Sequence, residues 1–172
     1  MACINRIVIE GRRIMNIKQI YERQVKRVYC TAMIYLKNKE DAEDAVQNVF
    51  IKLIEKPREF ESLEHEKAWF IMVTKNYCKD VLKSSWFRKV ELGDLPELVQ
   101  EDEEEQELLV HICSLGKKYR EVIYLYYYEE YSVKEISKIL QRKESTIQTQ
   151  LATARKKLRI KLEQEEMLWT RN

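Results

Sequence analysis

Between Tyr131 and Leu158, YSVKEISKILQRKESTIQTQLATARKKL, apolar residues fall at Val133, Ile136 and Leu140, then at Ile147, Leu151, Ala154 and Leu158. Both sets keep helical spacing, which predicts two helices packing their apolar faces on a shared core. Each set is preceded by an S-x-x-E/Q pattern, Ser132 with Glu135 and Ser145 with Gln148. Such a pattern predicts a capping box, in which the serine accepts the N3 amide and the acid or amide reaches back. The polar QRKE between the two sets has turn length. Together they predict a helix-turn-helix whose second helix is shaped to enter a DNA groove, with an ordinary helical hairpin as the alternative.

At about 100° per residue, the apolar stripe of the second helix leaves Thr149, Ala152, Thr153 and Lys156 opposite it. Gln148, Arg155 and Arg159 flank one side, Gln150 and Lys157 the other. Small and amide side chains thus precede a basic block, RKKLRIK. A glutamine can bridge adenine N6 and N7, threonine or alanine can touch a thymine methyl, and Arg and Lys hold phosphates.

Helical periodicity also runs through the N-terminal half. Ile17, Ile20, Tyr21, Val25, Val28, Tyr29, Ala32 and Met33 predict a helix over Ile17–Leu36 with one broad buried face. In DAEDAVQNVFIKLIEK, Ala42, Ala45, Val46, Val49, Phe50 and Leu53 form a core stripe. The opposite face carries Glu40, Asp44, Gln47, Asn48 and Ile51. An apolar Ile51 amid acids and amides matches a partner-binding surface, an anchor within a polar rim. A third helix is expected from about Glu64 to Lys83, after a short polar loop Pro57–Leu63 that contains Phe60. Its inner face includes Trp69, Met72 and Val73, with Trp69 read as core. Its C-terminal half turns basic at Lys75, Lys79 and Lys83, followed by Arg88 and Lys89, with Asn76 and Trp86 interleaved. Bases beside aromatics suit single-stranded or opened DNA.

Composition adds organisation. Three glycines, two prolines and 35% charged residues in 172 favour a helix-rich chain of one or two small domains. The net charge of +2 conceals a tract, residues 91–107, with nine acids and no base; without it, 31 basic residues face 20 acidic ones. An acidic connector between two basic units suits nucleic-acid binding. Cys3, Cys30, Cys78 and Cys113 are scattered, and His111 with Cys113 lacks two further ligands at zinc spacing, so neither metal nor cofactor is expected. No membrane-spanning run and no signal peptide are found, and with free thiols a cytoplasmic location is expected.

With these segments in order, the chain resembles a bacterial RNA polymerase sigma factor of the sigma-70 family, extracytoplasmic-function group. DAEDAVQNVF is similar to that family's region 2.2. AWFIMVTKNYCKD is similar to its W-L-x-x-I-A-x-N-x-x-x-D run, here Trp69, Asn76 and Asp80. KKYREVIYLYYYEEYSVKEISKIL with STIQTQLATARKKL is similar to region 4. The resemblance covers roughly 17–88 and 107–162 and implies an all-α chain of two small helical domains. It implies an N-terminal extension at 1–15, a region 2 domain at 16–89, an acidic linker at 90–106, a region 4 domain at 107–165 and a tail at 166–172. Asp44, Gln47, Asn48 and Ile51 would dock on the clamp of the large subunit of core RNA polymerase. Arg58, Phe60, Asn76, Lys79 and Lys83 would capture and help melt the −10 element of promoter DNA. Gln148, Thr149, Ala152, Thr153, Arg155 and Lys156 would read the −35 element, with the domain's apolar side on the polymerase flap and the acidic linker in the RNA exit channel. Whether an anti-sigma factor binds the chain is left open.

Two departures stand out. The family usually has glycine where Gln141 ends the first helix of the pair, and often Lys or Arg at Gln148, Gln150 and Thr153. Residues 1–14 match nothing in the family, which makes Met15 a candidate start. A stand-alone helix-turn-helix regulator is the alternative function; it would not need the N-terminal signature. An enzyme is disfavoured, since no glycine-rich loop, ligand cluster or nucleophile–base pattern is found.

Overall fold

The computed structural model describes residues 17–84 and 103–169, which form seven α-helices and one π turn, with no strand among them. Residues 1–15, and with them the Met15 start, lie outside the described residues, as do Trp86, Arg88, Lys89 and most of the acidic tract.

Helix α1, Ile17–Leu36, is amphipathic at first, burying Ile20, Gln24 and Val28, and then buries every residue from Cys30 to Leu36. A helix apolar on all sides belongs at the centre of a fold, and α1 packs on both α2, Lys39–Glu55, and α3, Leu63–Ser84. Tyr21, expected on the buried face, is 45% exposed and rests against Phe50 with ring centres 4.8 Å apart. Between α1 and α2 Lys37 takes a left-handed φ of 58°, and Asn38 caps α2 by accepting the Asp41 amide at 2.9 Å. Glu40 and Asp41 then complement the positive end of the helix.

The second half begins with α4, Glu103–Ser114, so the last residues of the expected linker are helical. Helix α5, Lys117–Ile123, continues into the π turn Tyr124–Tyr128. Then come α6, Val133–Leu140, and α7, Glu144–Trp169, whose continuity carries it into the expected tail.

The capping box at Ser132 is present: Glu135 N–H donates to its hydroxyl at 3.3 Å, and its own amide donates to Glu135 at 2.9 Å. These bonds hold the Glu135 carboxyl below its usual range. The box expected at Ser145 is not formed. Helix α7 starts at Glu144, with the Lys143 carbonyl accepting from Thr146 and Ile147, which places Ser145 inside the first turn. The turn instead closes through Gln141, left-handed at φ 55°. The amides of Gln141 and Arg142 bond the carbonyls of Lys138 and Ser137, a Schellman closure. Glycine enters that conformation without the strain a side chain brings, which is why its absence here is costly.

The halves do not keep separate cores. A small cluster (Ile20, Val28, Val49, Phe50, Leu53, Phe70, Val73) lies within α1–α3. The larger one runs from Cys30, Met33, Ile34, Ile71 and Cys78 into Ile112, Cys113, Val122, Ile123, Ile136, Ile147 and Leu151. The two halves are therefore docked.

Candidate polymerase and nucleic-acid interfaces

On α2, burial of Ala42, Ala45, Val49 and Leu53 turns Asp44, Gln47, Asn48 and Ile51 outward, and all four are exposed. Ile51 is 49% exposed and is joined by Ile54 at 45%, one helical turn on, which the sequence reading missed although it continues the i, i+3 spacing. The Asn48 amide donates to the Asp44 carbonyl at 2.8 Å and to the Tyr77 hydroxyl on α3 at 3.1 Å, fixing the polar edge of this face.

The loop 57–62 is pinned rather than loose. Phe60 is half-buried, with ring centres 5.7 Å from Trp69, 5.8 Å from His65 and 6.3 Å from Phe70. Arg58 is exposed and lies over the Trp69 and Phe60 rings at 5.4 and 5.9 Å. Phe60 thus anchors the loop and Arg58 presents its charge. On α3, Asn76 and Lys83 are exposed and Lys79 half-buried, while Lys83 pairs with Asp80 at 3.2 Å. Lys75, grouped by sequence with this basic face, points the other way. It is buried, and its ammonium donates to the Ile139 carbonyl at the end of α6. Burial first, and then the charge of Lys79, lower its pKa to about 8.

On α7, Ile147, Leu151 and Ala154 are buried, and Gln148, Thr149, Ala152, Arg155 and Lys156 are exposed, with Thr153 half-exposed. The hydroxyls of Thr149 and Thr153 donate to the carbonyls of Ser145 and Thr149 at 2.9 Å, which leaves their methyls and lone pairs for a ligand. Gln150 is taken up locally, accepting from Arg142 at 3.1 Å. Arg142 also pairs at 2.5 Å with Glu121, whose side chain is buried, so one guanidinium ties the turn to α5 and α7. Nothing in the local sequence marked Arg142 or Glu121, because their contact joins segments 21 residues apart. Arg155 Nε donates to the Tyr127 hydroxyl at 2.8 Å.

Charged side chains lock the halves together. Arg120, itself buried, donates to the carbonyls of Ile34 and Tyr35 at the C-terminus of α1, and burial lowers its pKa. Lys75 does the same, in the other direction, for the C-terminus of α6. Each half thus supplies a cation that satisfies end-of-helix carbonyls of the other, where the helix dipole also favours positive charge. Buried Glu129 gathers Arg27 at 2.7 Å, Lys67 at 3.2 Å and the Tyr124 hydroxyl at 2.8 Å. Among the described residues, no group of three or more His, Cys, Asp and Glu is placed to hold a metal, and no helix is long and apolar enough to cross a membrane.

An all-α chain with a capped helix-turn-helix at one end and a three-helix unit at the other has the architecture of a transcription initiation factor. Residues 20–88 match sigma-70 region 2 and residues 105–158 match sigma-70 region 4, and the chain belongs to the sigma-70 family. It is a sigma factor, directing promoter-specific transcription. It is 27% identical to the RNA polymerase sigma factor SigV of Bacillus subtilis, over 81% of this chain and 86% of that protein. With the ECF sigma factor SigX of the same organism the identity is 26%, over 87% and 86%. The fold is shared with RpoE in its co-crystal with the anti-sigma factor NepR from Bartonella quintana (TM-score 0.66, 21% identity, 85% of this chain and 96% of that one). It is also shared with CnrH in complex with the cytosolic domain of CnrY (TM-score 0.58, 20% identity, 86% and 87%).

Proposed function

We propose that this sigma factor docks on core RNA polymerase through the α2 face of Asp44, Gln47, Asn48 and Ile51, extended by Ile54. Arg58, Asn76, Lys79 and Lys83 then engage opened −10 DNA, and α7 reads −35 duplex with Gln148, Thr149, Ala152, Thr153, Arg155 and Lys156. Ile51 carries the first assignment, because half of its surface stands in water within a polar rim, on the face of α2 opposite the buried Ala42, Ala45, Val49 and Leu53. An anti-sigma factor is a further partner, on the ground that RpoE shares this fold and was crystallised with one.

The docked halves cannot serve both elements at once. Elements centred 25 base pairs apart are separated by roughly 85 Å, at about 3.4 Å per pair. Asn76 adjoins Lys75, which touches α6, and α6 packs on α7, so the two reading faces lie on the order of 30 Å apart, two helix packings plus the outer sides of α3 and α7. Opening of the interface is therefore part of the function. The 18 residues 85–102 reach about 60 Å at full extension, enough with the width of the two halves to bridge the elements.

Size-exclusion chromatography with purified core polymerase, followed by transcription from genomic fragments with start-site mapping, tests the proposal. Co-elution and a common upstream sequence are expected. A chain that elutes apart from core polymerase yet binds duplex DNA alone would make it a stand-alone regulator.

A further inference from the structure

Four tyrosines stand in the π turn Tyr124–Tyr128, and they divide between inside and outside. Tyr124 is buried, stacks on Tyr128 at 5.6 Å and bonds Glu129. Tyr127 is 53% exposed and Tyr126 partly so. In a regular α-helix, adjacent side chains diverge by about 100°. The π turn fits an extra residue through i to i+5 bonding, here Glu129 N–H to the Tyr124 carbonyl at 3.2 Å. Tyr126 and Tyr127 both reach one side chain of α7, Arg155.

Arg155 is held on three sides. Its Nε donates to the Tyr127 hydroxyl at 2.8 Å, and its guanidinium carbon lies 5.3 Å from the Tyr126 ring centre and 5.6 Å from that of Tyr127. The two rings brace each other edge to face at 5.0 Å. Yet no carboxylate pairs with Arg155 among the described residues, whereas Arg159, one turn on, pairs with Glu163 at 2.7 Å. The charge is oriented without being neutralised.

That arrangement has the chemistry of an oxyanion grip. With Nε spent on Tyr127, the four N–H groups of Nη1 and Nη2 remain in the planar fork that matches two phosphate oxygens. The Tyr127 oxygen accepts from Nε through a lone pair and keeps its own proton to donate. Arg155 lies seven residues beyond Gln148 on the same side of α7, two turns or about 10.5 Å along the axis. When the first turn of a recognition helix meets base edges, that point falls at the groove wall, where phosphates stand.

We propose that Tyr127 and Arg155 form a site for one DNA phosphodiester, with Tyr127 both holding the guanidinium and donating its hydroxyl. The site rests on α7 being the DNA-reading helix. The test uses the full chain in holoenzyme, with a duplex enriched by the wild-type holoenzyme from a random library as probe, and dissociation constants measured across salt concentrations.

Tyr127→Phe is expected to raise Kd about three- to tenfold, the range spanned by one hydrogen bond. Arg155→Ala is expected to raise it further and to lower the salt slope by about one. In the Arg155→Ala background, Tyr127→Phe is expected to add less than about twofold, since its partner is gone. A methylphosphonate scan of the probe, which leaves the protein unaltered, should find one phosphate whose neutralisation weakens the wild type but not Arg155→Ala. A wild-type Kd for Tyr127→Phe beside a weakened Arg155→Ala overturns the site and leaves α7 as the reading helix. Unchanged binding in Arg155→Ala, Lys156→Ala and Gln148→Ala alike overturns the assignment of α7, and the site with it.

Discussion

Glu129→Gln separates the docking of the two halves from the folding of either. The glutamine keeps a side-chain oxygen for the Tyr124 hydroxyl, 2.8 Å away within the second half, but drops the charge that holds Arg27 and Lys67 of the first half at 2.7 and 3.2 Å. A buried pair broken on one side costs about 3–5 kcal/mol, an exposed one about 0–1 kcal/mol. Glu129 is 5% exposed, whereas the side chains of Arg27 and Lys67 are 25% and 22% exposed and can rehydrate. An intermediate loss of about 2 kcal/mol for the two pairs together follows, or roughly thirtyfold in the ratio of docked to open chain. Small-angle scattering reads this directly. A packed chain of this length has a radius of gyration of about 16 Å, and parted halves bring it toward roughly 25 Å. Glu129→Gln should raise the measured radius above wild type and bind core polymerase more readily, because less work remains to open it. Wild-type scattering together with a lowered melting temperature would refute the reasoning: Glu129 would then hold the second half together rather than the interface.

Ile51→Asp is expected to abolish co-elution with core polymerase while changing stability by no more than about 0.5 kcal/mol, as for other exposed positions; retained co-elution would place the docking face elsewhere. Gln141→Gly should stabilise the chain by about 1 kcal/mol in urea unfolding, because φ 55° strains a side chain and suits glycine. Glu121→Gln should cost about 1–2 kcal/mol in the same assay, because Glu121 is buried while Arg142, at 28% exposed, can rehydrate. Lys75 carries a pKa of about 8 when docked against 10.5 when free, so between those values the docked state binds fewer protons and gains stability as pH rises. The wild-type radius of gyration should therefore fall as pH rises from about 8 to 9, and Lys75→Met should remove that slope. The comparison also separates Lys75 from Cys78 and Cys113, whose raised pKa values act in the opposite sense as pH climbs past 9.

What was legible in the sequence was what periodicity encodes. Helix α1 spans the residues its apolar spacing indicated, and the outward faces of α2 and α7 follow from where alanine, valine and leucine recur. The Ser132 box formed because serine, glutamate and a following apolar residue all agree on one helix start. At Ser145 the same letters misled. Glu144 already begins the helix one residue earlier, on bonds accepted by the Lys143 carbonyl, and an acid in the first turn complements the dipole without any serine cap. Local capping chemistry competes with neighbouring residues, and a pattern alone does not show which wins.

Lys75 shows why the rest was hidden. In sequence it is one of a row of lysines on a basic face beside Asn76, Lys79 and Lys83. In the docked chain it leaves that row and satisfies a carbonyl at the end of α6, 64 residues away. An end-of-helix carbonyl has no sequence signature, so a cation that serves it looks like any other surface lysine. The same holds for Arg120 at the end of α1 and for Glu129 between Arg27 and Lys67. These groups are charged, so burying them is costly unless every polar atom finds a partner, and the apolar contacts between the halves must offset the remainder. A dry apolar seam would close once and stay closed. A seam built on desolvated charges can rehydrate when it parts, which lowers the cost of the proposed opening between the two halves.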